Sequence, residues 1–182
     1  FSMIKVVIIG QDPYPKAGDA HGLAFSCLTN IPGSLRNIYK CLLAYKLIKQ
    51  MPSTGILTRW AEQGVLLINA SLTTIIGKSN AHADYWRQYT AQLITDISIL
   101  GRTRPLIFML WGKFAQSLKT HIDKSCTILE WSHPKSYGAD EVYYGADEVY
   151  YGADEVYYGA DEVYYGADEV YYGADEVYYG AK

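Results

Sequence analysis

Cysteine is scarce: three residues, Cys27, Cys41 and Cys126, in a chain of 182, with no CxxC spacing among them. An odd number at wide spacing argues against a disulfide scaffold or a zinc site, and for free thiols in a reducing compartment. No apolar run approaches the roughly 18 residues that would cross a bilayer. The opening Phe1-Ser2-Met3-Ile4-Lys5 has no signal-peptide layout; it begins without Met and runs straight into a strand, which implies that a segment upstream is missing. Neither GxGxxG nor GxxxxGK[ST] occurs, so nothing supports a small-nucleotide-binding α/β domain. Acidic residues are also few outside one region. Of the 19 Asp and Glu, seven lie in residues 1–136, against 15 Lys and Arg, a net charge of +8 there.

The remaining acids belong to residues 137–182, which are six copies of YGADEVY followed by YGAK. Two domains of different kind are therefore expected: an ordinary globular domain over 1–136 and a low-complexity tail over 137–182. A glycine in every seven residues disfavours helix in the tail, while Glu-Val-Tyr-Tyr favours strand, so stacked short strands and a disordered tail both remain open. A basic domain points to a polyanionic partner such as nucleic acid, and the want of a bilayer-crossing run leaves no membrane expected.

Within 1–136, apolar β-branched runs at Lys5–Ile9, Val65–Ile68, Leu106–Leu110 and Thr127–Trp131 read as buried strands. Helical periodicity covers Ser34–Gln50 with Ser34 as N-cap, a segment from a Ser53-Thr54 cap to Gln63, Asp84–Leu100, and Lys113–His121. The Asp84–Leu100 helix presents Trp86, Tyr89, Leu93, Ile94 and Ile97 on one side. Strands alternating with helices predict an α/β fold, a central four-stranded parallel sheet with helices on both faces. Ligands of such sheets sit at the carboxyl ends of the strands. Gln11-Asp12, Asn69, Trp111-Gly112-Lys113 and Ser132-His133 follow the four strands, so polar groups from all four are available to one pocket.

Taken singly, each residue has two readings. Asp12 is either a turn aspartate satisfying nearby N–H groups or a carboxylate that orients a water and faces a developing cation. His133 is a loop imidazole or a donor to a leaving group. Asn69 caps a turn or reads an amide-like edge with its paired donor and acceptor. Tyr14 and Phe25 are core aromatics or walls for a flat ring.

Gly10-Gln11-Asp12-Pro13-Tyr14, Ala20-His21-Gly22-Leu23-Ala24-Phe25-Ser26, Gly64-Val65-Leu66-Leu67-Ile68-Asn69 with Leu72-Thr73, Leu110-Trp111-Gly112 with Ala115-Gln116, and Ser132-His133-Pro134 occur in this order. Over about residues 1–134 the chain thus resembles the family-1 uracil-DNA glycosylases. The resemblance implies hydrolysis of the N-glycosidic bond of deoxyuridine, without metal or cofactor, in single- or double-stranded DNA during base-excision repair. It implies a monomer working inside the cell, in nucleus or cytoplasm. Asp12 would then position water and stabilise the cationic sugar. His133, as a neutral imidazole, would hydrogen-bond the departing base. Asn69 would read the uracil edge, Tyr14 would block a 5-methyl group, Phe25 would stack, and the Gln11 backbone would line the pocket. Ser34 and Lys113 fall where phosphate contacts are expected, and His82 matches a histidine of the family.

Three departures stand out. Pro15 replaces a histidine, Lys113 replaces a phosphate-binding serine, and His133-Pro134-Lys135-Ser136 runs into the repeat where the family has a serine and a wedge leucine. The family's terminal portions on both sides are absent too. These losses leave a second reading, a DNA-binding or accessory module that keeps the fold and has weak turnover.

Overall fold

The computed structural model describes residues 3–136 and the backbone of six short strands between positions 142 and 180. It divides into two units: residues 1–32 with 53–131, and residues 33–52 with 132–182.

The first unit is built on four parallel strands, β1 (Val6–Gly10), β2 (Val65–Asn69), β3 (Ile107–Trp111) and β4 (Thr127–Trp131), in the order β2-β1-β3-β4. Each lies within one residue of its expected run. Alternation along the strands splits their side chains between two faces. Val7 and Ile9 of β1 and Phe108 and Leu110 of β3 join Ile94, Ile97, Ala115, Leu118 and Ile122 in one buried cluster. Ile8 and Leu67, which alternate with these, are buried as well.

Helix α2 (Thr58–Glu62) is shorter than expected and is not capped by Ser53-Thr54. Thr54 Oγ1 instead accepts the Ile56 N–H at 3.1 Å, closing a local turn that competes with a helix start. Gly64, at φ +96°, ends the helix region as anticipated. Helix α3 (Ala83–Ser98) buries Thr90, Ile94, Ile97 and Ser98, while Tyr89 is exposed. The Thr90 hydroxyl donates to Ala70 O at 2.7 Å, which turns the 90/94/97 stripe inward and swings Tyr89 away. Helix α4 (Gly112–Gln116) stops after five residues. Leu118 N–H bonds back three residues to Ala115 O and the Ser117 hydroxyl donates to Phe114 O, so the chain tightens into a 3-10 turn at Lys119–His121.

In the second unit, α1 (Gly33–Ala44) ends six residues before the expected Gln50. Lys46 adopts φ +58°, with Lys46 N–H bonded to Leu43 O and Leu47 N–H to Leu42 O. This is a Schellman stop made with lysine where glycine is usual, and so without the usual sequence mark. Ser34 is buried inside the first turn, one residue past the helix start, rather than preceding the helix as its cap. The tail repeats form β5 (Val142–Tyr144), β6 (Val149–Tyr151), β7 (Val156–Tyr158), β8 (Val163–Tyr165), β9 (Glu169–Tyr172) and β10 (Val177–Gly180), each antiparallel to the next. Of the two forms left open for the tail, these are the stacked short strands.

Candidate active site

Parallel pairing sends the ends of β1 and β2 out of the same sheet edge. The register sets Gly10 opposite Asn69, and the chain is stitched onward by Ala70 N–H to Gly10 O and Ser71 N–H to Gln11 O, both 2.9 Å. Glycine at position 10 is a packing requirement. A Cβ there would stand 2.3 Å from Asn69 Oδ1 and 3.0 Å from the Ala24 Cβ. The Asn69 amide therefore lies in the space left by the missing side chain of its neighbour. Gly10→Ala should cost about 1–3 kcal/mol from overpacking. In denaturant titrations the added Asn69→Ala change should return most of that loss, a coupling that plain additivity would refute.

A cleft of about 460 Å³ opens at this edge, lined among others by Asp12, Tyr14, Phe25, Asn69, Leu72 and Thr73. That volume falls within the range of small-molecule sites. Phe25 is buried at φ +64°, a left-handed conformation that costs a bulky residue on the order of 1–3 kcal/mol and marks functional positions more often than others. Its ring meets Trp111 edge to face, with centroids 5.5 Å apart. The Tyr14 hydroxyl donates to Phe25 O at 3.2 Å, and burial, followed by the nearby Cys27 and Asp19, pushes its ionisation well above the ordinary tyrosine range. Tyr14 is thus a neutral, fixed wall. Behind it, Ser26 Oγ donates to Gly55 O and accepts from Leu57 N–H, which leaves His21 Nε2 as the donor to that oxygen.

The Asp12 carboxylate is held by a segment far along the chain rather than by the local N–H groups of a turn. It accepts Ser79 Oγ at 3.1 Å and 2.9 Å through its two oxygens and Asn80 N–H at 2.6 Å through Oδ2, and it also faces the cleft. Ser79 and Asn80 escaped sequence reasoning because they stand 67 and 68 residues away with no motif of their own. Thr73, also on the cleft wall, takes Trp86 Nε1–H on its hydroxyl oxygen at 2.7 Å, and that hydroxyl faces His82 Nδ1 at 2.9 Å. This gives His82 a structural task.

Gln11 and Lys113 are not among the residues lining the cleft. The Gln11 carbonyl is taken by Ser71, and Lys113 is exposed in the first turn of α4. His133 and Ser34 belong to the second unit. There, Asn37 Nδ2 donates to Pro134 O at 2.7 Å, fixing the turn after His133, and Lys135 N–H donates to His133 Nδ1 at 3.0 Å. Burial first, and Lys135 second, lower the histidine's pKa from its ordinary value. The ring is therefore neutral at pH 7, with Nδ1 occupied as an acceptor and the proton on Nε2.

The model of the uracil DNA glycosylase superfamily matches residues 2–142. The chain is similar to the uracil-DNA glycosylase of Borrelia duttonii, 48% identical over 143 residues, covering 76% of this chain and 63% of that protein. It is similar also to that of Desulfitobacterium hafniense, 44% identical over 139 residues, covering 75% and 61%. Among solved structures, mimivirus uracil-DNA glycosylase superposes with a TM-score of 0.69 at 35% identity, over 82% of this chain and 58% of that one. The chain thus spans about three-fifths of the length of the curated relatives it matches.

Proposed function

The chain belongs to the uracil DNA glycosylase superfamily, and from that premise we propose that it hydrolyses the N-glycosidic bond of deoxyuridine in DNA, releasing uracil. The observation that carries this reading is the gathering of Asp12, Tyr14, Phe25 and Asn69 around one cleft at the carboxyl edge of the sheet. A base reaches such a cleft only by leaving the stack.

As the bond from sugar to base breaks, its electron pair departs with the uracil and the sugar turns cationic. Asp12 supplies the fixed negative charge for that cation and an acceptor for the attacking water. Asn69 offers an acceptor and a donor to the uracil edge. Phe25 stacks on the ring, and Tyr14 fills the space that a 5-methyl group would take. To His133 the proposal assigns a hydrogen bond from Nε2 to the departing uracil anion; its neutral state and occupied Nδ1 support that role. Gln11 contributes backbone only. Lys113 meets phosphate as a point charge, and Ser34 is the weaker phosphate candidate because it is buried. We place the activity in residues 1–136, acting as a monomer, inside the cell where DNA is found, in nucleus or cytoplasm.

The second reading, a binding module with impaired turnover, is favoured by the entry into the repeat directly after Ser136, where a wedge residue would otherwise stand. One incubation separates the two. Single-stranded oligonucleotide carrying one uracil should lose it, as scored by strand cleavage at the abasic site. Duplex should be slower by about 10- to 100-fold, since unaided flipping costs a few kcal/mol. Binding without release from either substrate would favour the module.

A further inference from the structure

We propose that residues 73–82 form a positioning arm for the reaction, in which Ser79 and the Asn80 N–H orient Asp12 so that Oδ1 is the oxygen left to accept the attacking water. This rests on the glycosylase reading for its chemistry, while its geometry stands alone.

The arm is braced within itself. Ile75 and Lys78 form an antiparallel bridge, Thr74 Oγ1 donates to Lys78 O at 2.6 Å, and Ala81 N–H returns to Thr74 Oγ1 at 3.3 Å. At its base, Thr73 is held between His82 and Trp86. The arm then grips the 12–15 loop at two places. Gly77 N–H donates to Pro15 O at 2.8 Å, and Ser79 with Asn80 takes the Asp12 carboxylate. Asn80 holds φ +65°, a left-handed conformation that asparagine tolerates better than most residues, and this directs its N–H at Oδ2.

The two carboxylate oxygens are not equivalent. A carboxylate has about four acceptor sites. Oδ2 takes the shorter Ser79 contact at 2.9 Å and the Asn80 N–H at 2.6 Å, whereas Oδ1 takes only the longer one at 3.1 Å. Among the described residues Oδ2 is filled and Oδ1 is half free. An acid fixed in this way spends no reorganisation on finding the water's position. Pro15 carries no side-chain donor or acceptor and no N–H, so the arm is what steadies Asp12 from that side.

The test compares wild type, Ser79→Ala and Ser79→Thr on single-stranded uracil oligonucleotide. Ser79→Ala should lower kcat by about 10- to 100-fold with KM within about twofold, because misplacing a reacting group acts on the chemical step. Ser79→Thr, which keeps the hydroxyl, should retain most of the wild-type kcat. Equal losses in both variants, a loss confined to KM, no loss, or a faster Ser79→Ala enzyme would each overturn the proposal. Amide exchange of Asn80 gives an independent reading. Its N–H should be protected in wild type and exchange at least about tenfold faster in Asp12→Ala. An unprotected Asn80 in wild type overturns the arm whatever the activity. If wild type releases no uracil while Asn80 is protected through Asp12, the arm stands and the glycosylase reading falls.

Discussion

Asp12→Asn lowers the single-turnover rate of uracil release by on the order of 10²- to 10⁴-fold, with binding of an uncleavable oligonucleotide within about threefold. The substitution keeps shape and removes charge. It also fixes which way the new amide points. Asn80 N–H faces Oδ2 alone and the Ser79 hydroxyl lies nearer Oδ2, at 2.9 Å, than Oδ1, at 3.1 Å, so the amide oxygen is drawn to the Oδ2 side and the NH₂ group is left where Oδ1 stood. A donor then occupies the position from which a water must be accepted, and no negative charge opposes the cationic sugar. Retention of more than about a fifth of the wild-type rate would remove Asp12 from the chemistry.

Asn69→Asp should shift selection from uracil toward cytosine. Uracil presents an N–H and a carbonyl to the amide; cytosine presents an acceptor nitrogen and an amino group, which a carboxylate can accept. A site built to pair specific donors and acceptors can reject the wrong edge by about 10⁴-fold or more. Reversing half of that pattern should slow uracil release by at least about 10²-fold while making cytosine release measurable. Parallel reactions on oligonucleotides with one uracil or one cytosine check this. An unchanged ratio of the two rates would mean that Asn69 does not read the base, whatever its place on the cleft wall.

The parts of this architecture legible in the sequence are those specified locally. Short β-branched runs mark all four strands to within a residue, and the rule that parallel strands deliver polar groups to one edge brings Asp12 and Asn69 together before any coordinates. What the letters hide is set by partners far along the chain. Lys46 ends α1 in a conformation that glycine would have advertised. Thr54 spends its oxygen on a turn, so α2 begins later than a cap at that position would place it. Tyr89 belongs to the apolar count of α3, yet the Thr90 bond to Ala70 O decides which face turns inward. Ser79 looks like any loop serine until folding carries it to Asp12. The Gly10 requirement lies between these cases: glycine at a strand end suggests a turn, and only the register opposite Asn69 shows that it makes room for an amide.

The strand order has a consequence for how the chain is made. β1 lies between β2 and β3, and its Val6 pairs with Val65 on one side and Ile107 on the other. At about 5–20 residues per second, the segment Val-Val-Ile-Ile waits several seconds for its first neighbour and about twice as long for its second. During synthesis the most apolar piece of the sheet thus emerges before the other three strands and keeps one flank open until β3 is made, a window in which a chaperone that shields nascent hydrophobic segments would raise the yield of folded protein.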